Sequence, residues 1–251
     1  TTWLRSVLSR HLKPIRWVTH GNRPHPALAG RGGPGRSVGE RVGAALGAGA
    51  DIARAHGTMV IDIGGGTTDI AVMSLGGVVA SRSMKIAGDE FTEEIVRYMR
   101  REMNLHIGPR TAERLKMTVG GVIKRDKEVL CEAKGISAIT GLPRRVTVSS
   151  NDLCDIFEDF VYNITERARE VLEDTPPELH GDIIRDGIIM TGGGALLYGL
   201  DKRIAREIGV ECRLADNITE CVVRGSGIAL DQIDTVTDPT HIYHKKAYIH
   251  E

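Results

Sequence analysis

Two glycine triplets, at residues 64–66 and 192–194, each follow directly on a short apolar run that is typical of a buried strand. Glycine has no Cβ atom, so the N–H groups of such a turn can converge on a phosphate. Neither triplet fits GxGxxG with a downstream acid, or GxxxxGK[ST], which disfavours a Rossmann dehydrogenase and a P-loop enzyme. Taken alone, the first triplet is equally consistent with a tight hairpin, and the second with a close strand-to-helix crossing.

The pattern around the first triplet predicts three strands and a helix. Residues 58–63 form a buried strand, and residues 69–75 and 78–84 flank a Gly-Gly turn, so we expect a strand meander. Asp89 then stands where the N-cap of an amphipathic helix belongs.

The next part of the chain predicts a small subdomain inserted into this sheet, with a short helix after Pro109 and strands near residues 128–133 and 145–149. Asn151 caps a long helix that must end before Pro176, because proline removes a backbone donor.

The second triplet lies between a strand at residues 187–190 and a helix that ends at Gly209. We therefore predict an α/β fold with one mixed sheet built on residues 57–84 and 187–214.

The N-terminal segment differs from the rest of the chain. Residues 1–57 carry nine Lys and Arg against two acidic residues. Residues 1–13 follow a helical period, which fits a basic membrane-surface helix or a helix packed on its own domain. Residues 21–36 contain five Gly and three Pro, so we expect residues 1–39 to be poorly ordered or loosely packed.

Composition excludes several classes of function. The 33 basic and 33 acidic residues cancel, which gives no argument for a nucleic-acid partner. The four cysteines form no CxxC pair, as expected for free thiols in a reducing cytosol. No apolar run approaches the roughly 20 residues that span a bilayer. We predict a cytoplasmic protein.

The residues beside the first triplet suit a nucleotide and its metal ion. Thr67 directly follows the glycines and adds a hydroxyl to their N–H groups. Asp62, at the end of the preceding strand, is placed to hold a magnesium ion through its waters, because hard cations prefer oxygen ligands.

In this order, and 128 residues apart, the triplets resemble the second phosphate loop and the adenosine loop of the actin, sugar kinase and heat-shock chaperone superfamily. Further motifs narrow the resemblance to the MreB family of bacterial actin-like proteins, which bind ATP and form filaments that govern cell shape. These motifs are residues 59–69 (MVIDIGGGTTD), 74–77 (SLGG), 81–83 (SRS), 88–89 (GD), 110–116 (RTAERLK), 140–143 (TGLP), 175–179 (TPPEL) and 191–197 (TGGGALL).

The resemblance implies an actin-like ATPase fold with a ribonuclease H-like core, and a slow ATPase that uses ATP and magnesium. It implies that the nucleotide is bound by Gly64, Gly65, Gly66, Thr67, Glu113, Arg114, Leu115, Lys116, Gly193, Gly194, Ala195 and Leu196. Thr67 and Glu40 would be catalytic, since Glu40 looks like the family's glutamate that polarises the attacking water. The alternative for Glu113 and Lys116 is a solvated ion pair on a helix.

The resemblance also implies a division of the chain. Residues 1–56 would be a divergent remnant of the first actin-like domain, and residues 57–90 and 155–227 the second large domain. Residues 91–154 would be an inserted small subdomain, and residues 228–251 a C-terminal helix that returns to the first domain, with a tail.

The sequence departs from the family near its start. Arg41 stands where the family has a proline, and no Asp-x-Gly-Thr turn, the family's first phosphate loop, precedes Asp62. We hypothesise that the N-terminal 40 residues reflect a shifted reading frame or a wrongly placed gene start.

The implied partners are further copies of the chain in filaments, the cytoplasmic face of the membrane and cell-wall synthesis proteins. Three alternatives stay open at this point. They are a small-molecule kinase of the same superfamily, a chaperone-type ATPase, and a truncated fragment with an incomplete ATP site and no polymerising activity.

Overall fold

The computed structural model describes residues 37–38, 40–231 and 243–244. The helix predicted at residues 1–13, the Gly/Pro-rich segment and the C-terminal tail lie outside these residues, apart from a two-residue strand. In chain order the elements are β1 (Ser37–Val38), α1 (Glu40–Gly47), β2 (Thr58–Ile63), β3 (Thr68–Ser74), β4 (Gly77–Met84), α2 (Gly88–Arg101), β5 (Leu105–His106), α3 (Pro109–Val119), β6 (Leu130–Ser137), β7 (Pro143–Ser149), α4 (Glu158–Glu173), α5 (Pro177–Asp186), β8 (Ile188–Thr191), α6 (Leu200–Ile208), β9 (Cys212–Leu214), α7 (Cys221–Asp231) and β10 (Tyr243–His244).

The main sheet has five strands in the order β4-β3-β2-β8-β9. β2 pairs antiparallel with β3 and parallel with β8, and β8 pairs parallel with β9. The prediction that residues 58–63 and 187–190 belong to one mixed sheet is therefore confirmed. The predicted meander is also present, with β3 and β4 joined by a turn at Leu75 and Gly76, both of which have positive φ.

Helices cover both faces of this sheet, because alternate side chains of a strand point to opposite sides. In β2, Met59, Ile61 and Ile63 belong to the larger core, which also holds apolar residues of α4 and α6. Val60 points the other way, into a smaller core that contains residues of α1 and α7. Both faces of β2 are thus buried, and its carboxyl end is held in place from both sides.

α1 and α7 approach so closely that only glycine fits between them. A Cβ atom on Gly225 would lie 1.8 Å from the carbonyl oxygen of Gly43, and one on Gly47 would lie 1.7 Å from that of Cys221. The C-terminal helix was predicted from residue 228 onward, whereas α7 spans Cys221–Asp231, and the rest of the predicted range lies outside the described residues apart from β10. The prediction missed this start because the glycines of α7 look unfavourable for a helix, whereas here they allow the contact with α1.

A second, three-stranded sheet in the order β5-β6-β7 lies within the segment predicted as a small subdomain. α2 connects it to the larger core, since the Phe91 ring packs edge-on against Phe157 and Phe160, with ring centres 5.4 and 5.6 Å apart. The exact division of the chain into domains stays a prediction.

Three predicted helix starts are wrong by a few residues. α2 begins at Gly88 rather than after a cap at Asp89, and the Glu90 carboxylate accepts the N–H of Ala87 instead. The Asn151 side chain accepts the N–H of Arg125, and α4 begins only at Glu158 after a short 3₁₀ turn. The helix after the second triplet begins at Leu200, because residues 193–196 form a separate 3₁₀ turn. The predicted end before Pro176 is confirmed, since α4 ends at Glu173.

Candidate functional site

The first glycine triplet forms the turn between β2 and β3. The N–H of Gly64 donates to the Thr67 carbonyl at 2.9 Å, which closes the turn. Gly65 and Gly66 are exposed, and within the described residues no hydrogen bond uses their N–H groups. The first triplet is thus a hairpin turn, as one of the two readings of the sequence predicted. The N–H groups of Gly65 and Gly66 at the tip of this turn nevertheless remain available to a ligand.

The second triplet packs directly on the end of β2. Gly192 has φ +82°, and a Cβ atom there would lie 2.3 Å from the Ile63 carbonyl oxygen. A Cβ atom on Gly194 would lie 2.5 Å from the Ile63 side chain, whereas Gly193 is exposed, and a Cβ atom there would meet only the Thr219 methyl group, at 3.9 Å. The structure therefore brings the two triplets side by side, although their sequence positions are far apart. Close packing accounts for Gly192 and Gly194, and leaves Gly193 free for a ligand.

The remaining residues of the predicted adenosine loop have different surroundings. Ala195 is buried in the larger core, and its N–H donates to the Gly192 carbonyl at 3.2 Å. The Leu196 side chain is 56% exposed beside the turn. An exposed leucine at this position provides an apolar surface for a flat ring.

Asp62 lies buried where β2 ends, and accepts a hydrogen bond of 2.8 Å from the Thr191 hydroxyl of β8. Burial raises the pKa of Asp62 from its ordinary 3.8 to about 6, against the lowering effect of the Thr191 bond, and the charges of Asp69 and Glu40 raise it further. Ionised Asp62 thus lacks a compensating positive charge.

This electrostatic environment fits a divalent cation, because a cation would stabilise ionised Asp62. The part of the chain that the structure describes holds no cluster of three or more potential metal-ligating side chains. A magnesium ion beside Asp62 would therefore keep most of its waters, as this ion commonly does.

The predicted nucleoside-binding residues of α3 separate into two groups. Lys116 lies 2.8 Å from the Glu113 carboxylate, and both contact the Thr92 hydroxyl on α2. Leu115 is fully buried in the larger core, and Arg114 donates to the Glu132 carbonyl of β6 at 2.7 Å. The side chains of Arg114 and Leu115 therefore give no support to the prediction that all four residues line the nucleoside.

Backbone contacts join α2 and α3 to both triplets. The N–H groups of Gly88 and Asp89, at the start of α2, donate to the carbonyls of Gly64 and Gly65 at 3.0 and 2.8 Å. After α3, the N–H of Val122 donates to the Tyr198 carbonyl at 2.9 Å, just beyond the second triplet. The first triplet, the Glu113–Lys116 pair and the second triplet consequently form one connected group.

Glu40 is the first residue of α1 and is exposed, and its charge acts on Asp62. Arg41, which the sequence marked only as a departure from the family, donates to the Asp69 carboxylate and to the Ser81 hydroxyl, both at 2.9 Å. It thereby ties the first turn of α1 to β3 and β4. Sequence reasoning missed this role, as it missed that of Thr92, because a lone arginine or threonine carries no motif; Thr191 stood within a quoted motif, but its bond to Asp62 was not predicted.

Comparison with known proteins shows the family to which the chain is similar. A family model described as MreB/Mbl protein matches residues 36–238. The chain belongs to the MreB/Mbl family. The cell shape-determining protein Mbl of Bacillus cereus (strain ATCC 10987 / NRS 248) is 48% identical over 191 residues, which cover 76% of this chain and 57% of that protein. The chain thus spans less than two thirds of this family member.

Solved structures agree with the family and the fold. The crystal structure of MreB5 of Spiroplasma citri bound to ADP has a TM-score of 0.75 and 40% identity, covering 78% of this chain and 60% of that one. A second structure of MreB5 is bound to AMPPNP. The MamK double helical filament is 22% identical with a TM-score of 0.62, covers 76% of this chain and 58% of that one, and shows likeness of fold alone. The predicted actin-like fold is confirmed, and the kinase and chaperone alternatives are not favoured.

The described residues contain no helix that is both long and apolar enough to cross a membrane.

Proposed function

We propose that this chain binds ATP at the two glycine triplets and assembles with further copies of itself into filaments that direct cell shape. The observation that carries the proposal is the packing of Gly192 and Gly194 on Ile63, which sets two glycine turns side by side at the carboxyl ends of β2 and β8. Ligands of α/β proteins commonly bind at this edge of a sheet. The nucleotides held by MreB5 support the same assignment.

In this proposal each turn has its own task. The free N–H groups of Gly65 and Gly66 donate to the phosphate oxygens, and the Thr67 hydroxyl adds a further donor beside the terminal phosphate. Gly193 and Leu196 lie against the nucleoside, because they are the exposed members of the second turn. Glu113 and Lys116 border the nucleoside from the α3 side.

Hydrolysis, where it occurs, depends on Glu40 and Asp62 in this proposal. A bound magnesium ion supplies positive charge that neutralises the phosphates. Asp62 would hold that ion through its waters, and the Thr191 hydroxyl fixes the orientation of the Asp62 carboxylate. Glu40 orients the attacking water, and the Arg41 contacts with Asp69 and Ser81 hold the start of α1 in place.

Filament formation and location follow from the family and stay proposals for this chain. Mbl of Bacillus cereus is named a cell shape-determining protein, which supports the same role here. We propose a cytoplasmic protein that associates with itself, with the membrane face and cell-wall synthesis proteins as further partners.

The test is sedimentation of the purified chain with and without ATP and Mg²⁺, together with equilibrium dialysis of ATP. We expect the chain to pellet only with nucleotide. Gly66→Val should abolish ATP binding, because a Cβ atom on Gly66 meets no protein atom within 4 Å and fills the space meant for a phosphate. Gly181→Val, at an equally open position on α5, is the matched control and should bind ATP like the wild type. Equal binding by both variants would remove the phosphate role of the first turn.

A further inference from the structure

One threonine connects the two helices that border the nucleoside side of the site. The Thr92 hydroxyl on α2 lies 2.6 Å from the Glu113 carboxylate, 2.9 Å from the Lys116 ammonium and 3.0 Å from the Gly88 carbonyl oxygen. Thr92 is 9% exposed, so water cannot readily replace these contacts.

The donors and acceptors of this cluster fit one arrangement. The Lys116 ammonium has three protons and three acceptors in reach, which are the Gly88 carbonyl at 2.8 Å, the Thr92 hydroxyl at 2.9 Å and Glu113 Oε2 at 2.8 Å. Lys116 thus has no donor left for a ligand. The single Thr92 proton goes to Glu113 or Gly88, and the hydroxyl oxygen accepts from Lys116.

Glu113 is the member of the cluster that stays open. Among the described residues, only its Oε2 atom has hydrogen-bond partners, and the side chain is 46% exposed. Its Oε1 atom is therefore an acceptor that a hydroxyl-bearing ligand can reach. Burial raises the pKa of Glu113, but the bonds from Lys116 and Thr92 outweigh it and hold that pKa below its ordinary value.

The cluster is also fixed to the phosphate loop. The Gly88 carbonyl that accepts from Lys116 belongs to the residue whose N–H donates to the Gly64 carbonyl at 3.0 Å. Thr92 stands one helical turn further along α2, directly after the buried Phe91. The β-branched Thr92 side chain has few rotamers in a helix, which makes it a rigid support.

We propose that Thr92 is a positioning residue, whose hydroxyl locks Lys116 and turns the free oxygen of Glu113 toward the sugar of a bound nucleotide. This inference rests on the proposed function, since it needs a nucleotide at the site. The Thr92 hydroxyl already bonds Gly88, Glu113 and Lys116, so Thr92 acts on a ligand through Glu113.

The experiment compares Thr92→Val with Thr92→Ser. Valine keeps the shape and loses the hydroxyl, whereas serine keeps the hydroxyl and loses a methyl group. Two quantities are measured for each, which are the ATP dissociation constant by equilibrium dialysis and the Glu113 titration by ¹³C NMR of the carboxyl carbon without nucleotide. Melting temperature shows whether each variant is folded.

We expect Thr92→Val to raise the Glu113 pKa and to weaken ATP binding about tenfold, which corresponds to one lost hydrogen bond to a charged group. Thr92→Ser should restore both quantities to within about twofold of the wild type. A Thr92→Val variant with wild-type ATP affinity, or a Thr92→Ser variant as weak as valine, would overturn the inference.

The titration separates this inference from the proposed function. If the wild type binds ATP but the Glu113 titration is the same in all three proteins, Thr92 does not position Glu113, and only the inference fails. If the wild type binds no ATP, the proposed function fails and the nucleotide role of Thr92 fails with it, whatever the titration shows.

Discussion

Replacing Asp62 by asparagine should stabilise the nucleotide-free protein, and should do so more at neutral pH than at acid pH. The pKa of Asp62 is raised from 3.8 to about 6 by burial at the end of β2. A carboxyl that ionises less readily in the folded state lowers stability as the pH rises between these two values. Asparagine removes this penalty and still offers an oxygen to the Thr191 hydroxyl.

The size of this stability change follows from the shift in the pKa of Asp62. Roughly two pKa units correspond to about 3 kcal/mol, the full penalty above pH 7, and about half of it is present at pH 5. Asp62→Asn should therefore raise the free energy of unfolding by about 3 kcal/mol at pH 7.5 and about 1.5 kcal/mol at pH 5. Urea denaturation at both pH values, without nucleotide or metal, measures the difference.

The control is Asp126→Asn, since Asp126 is an exposed carboxylate in a loop. It should change stability by less than about 0.5 kcal/mol at either pH. A gain for Asp62→Asn that is equal at pH 5 and pH 7.5, or a loss at both, would show that Asp62 carries no uncompensated charge. A cation beside Asp62 would then have no unpaired charge to neutralise.

Three further outcomes are expected. Thr67→Ala should reduce the rate of phosphate release far more than ATP affinity and leave the melting temperature unchanged. If Thr67 were purely structural, the substitution would instead lower the melting temperature and leave phosphate release per folded molecule unchanged. The affinity of this chain for ATP should be about 10²- to 10⁴-fold weaker than that of an intact family member, because a first phosphate loop is not recognisable in its sequence. Equal affinities by calorimetric titration would contradict this. Gly225→Ala should destabilise the protein by more than about 2 kcal/mol, because the added Cβ atom clashes with Gly43. Gly227→Ala, in open space on the same helix, should leave stability unchanged or raise it, and urea denaturation measures both variants.

The strands and the two glycine turns could be predicted because each leaves a local signal. An apolar run followed by glycines identifies β2, β8 and the turns after them, and Pro176 identifies the end of α4. These signals depend only on neighbouring residues, so they can be recognised without knowledge of the fold.

The contacts that complete the site could not be predicted, because they join residues distant in sequence. Thr92 reaches Glu113 and Lys116 across 21 and 24 positions, and Arg41 reaches Asp69 across 28. The helix starts predicted at Asp89 and Asn151 were wrong in two different ways. At α2 the Glu90 carboxylate accepts the N–H of Ala87, and the Asn151 side chain accepts the N–H of Arg125, 26 positions away, instead of starting a helix.

The pairing of Asp62 with Thr191 has a consequence for how the protein folds. The two residues are 129 positions apart, and the parallel pairing of β2 and β8 brings them together. Closing so long a loop costs chain entropy before any contact offsets it, so non-local parallel pairing is slow. The nucleotide site therefore forms late, and the rate at which refolding molecules regain ATP binding should follow the β2–β8 pairing rather than the earlier β2–β3 hairpin.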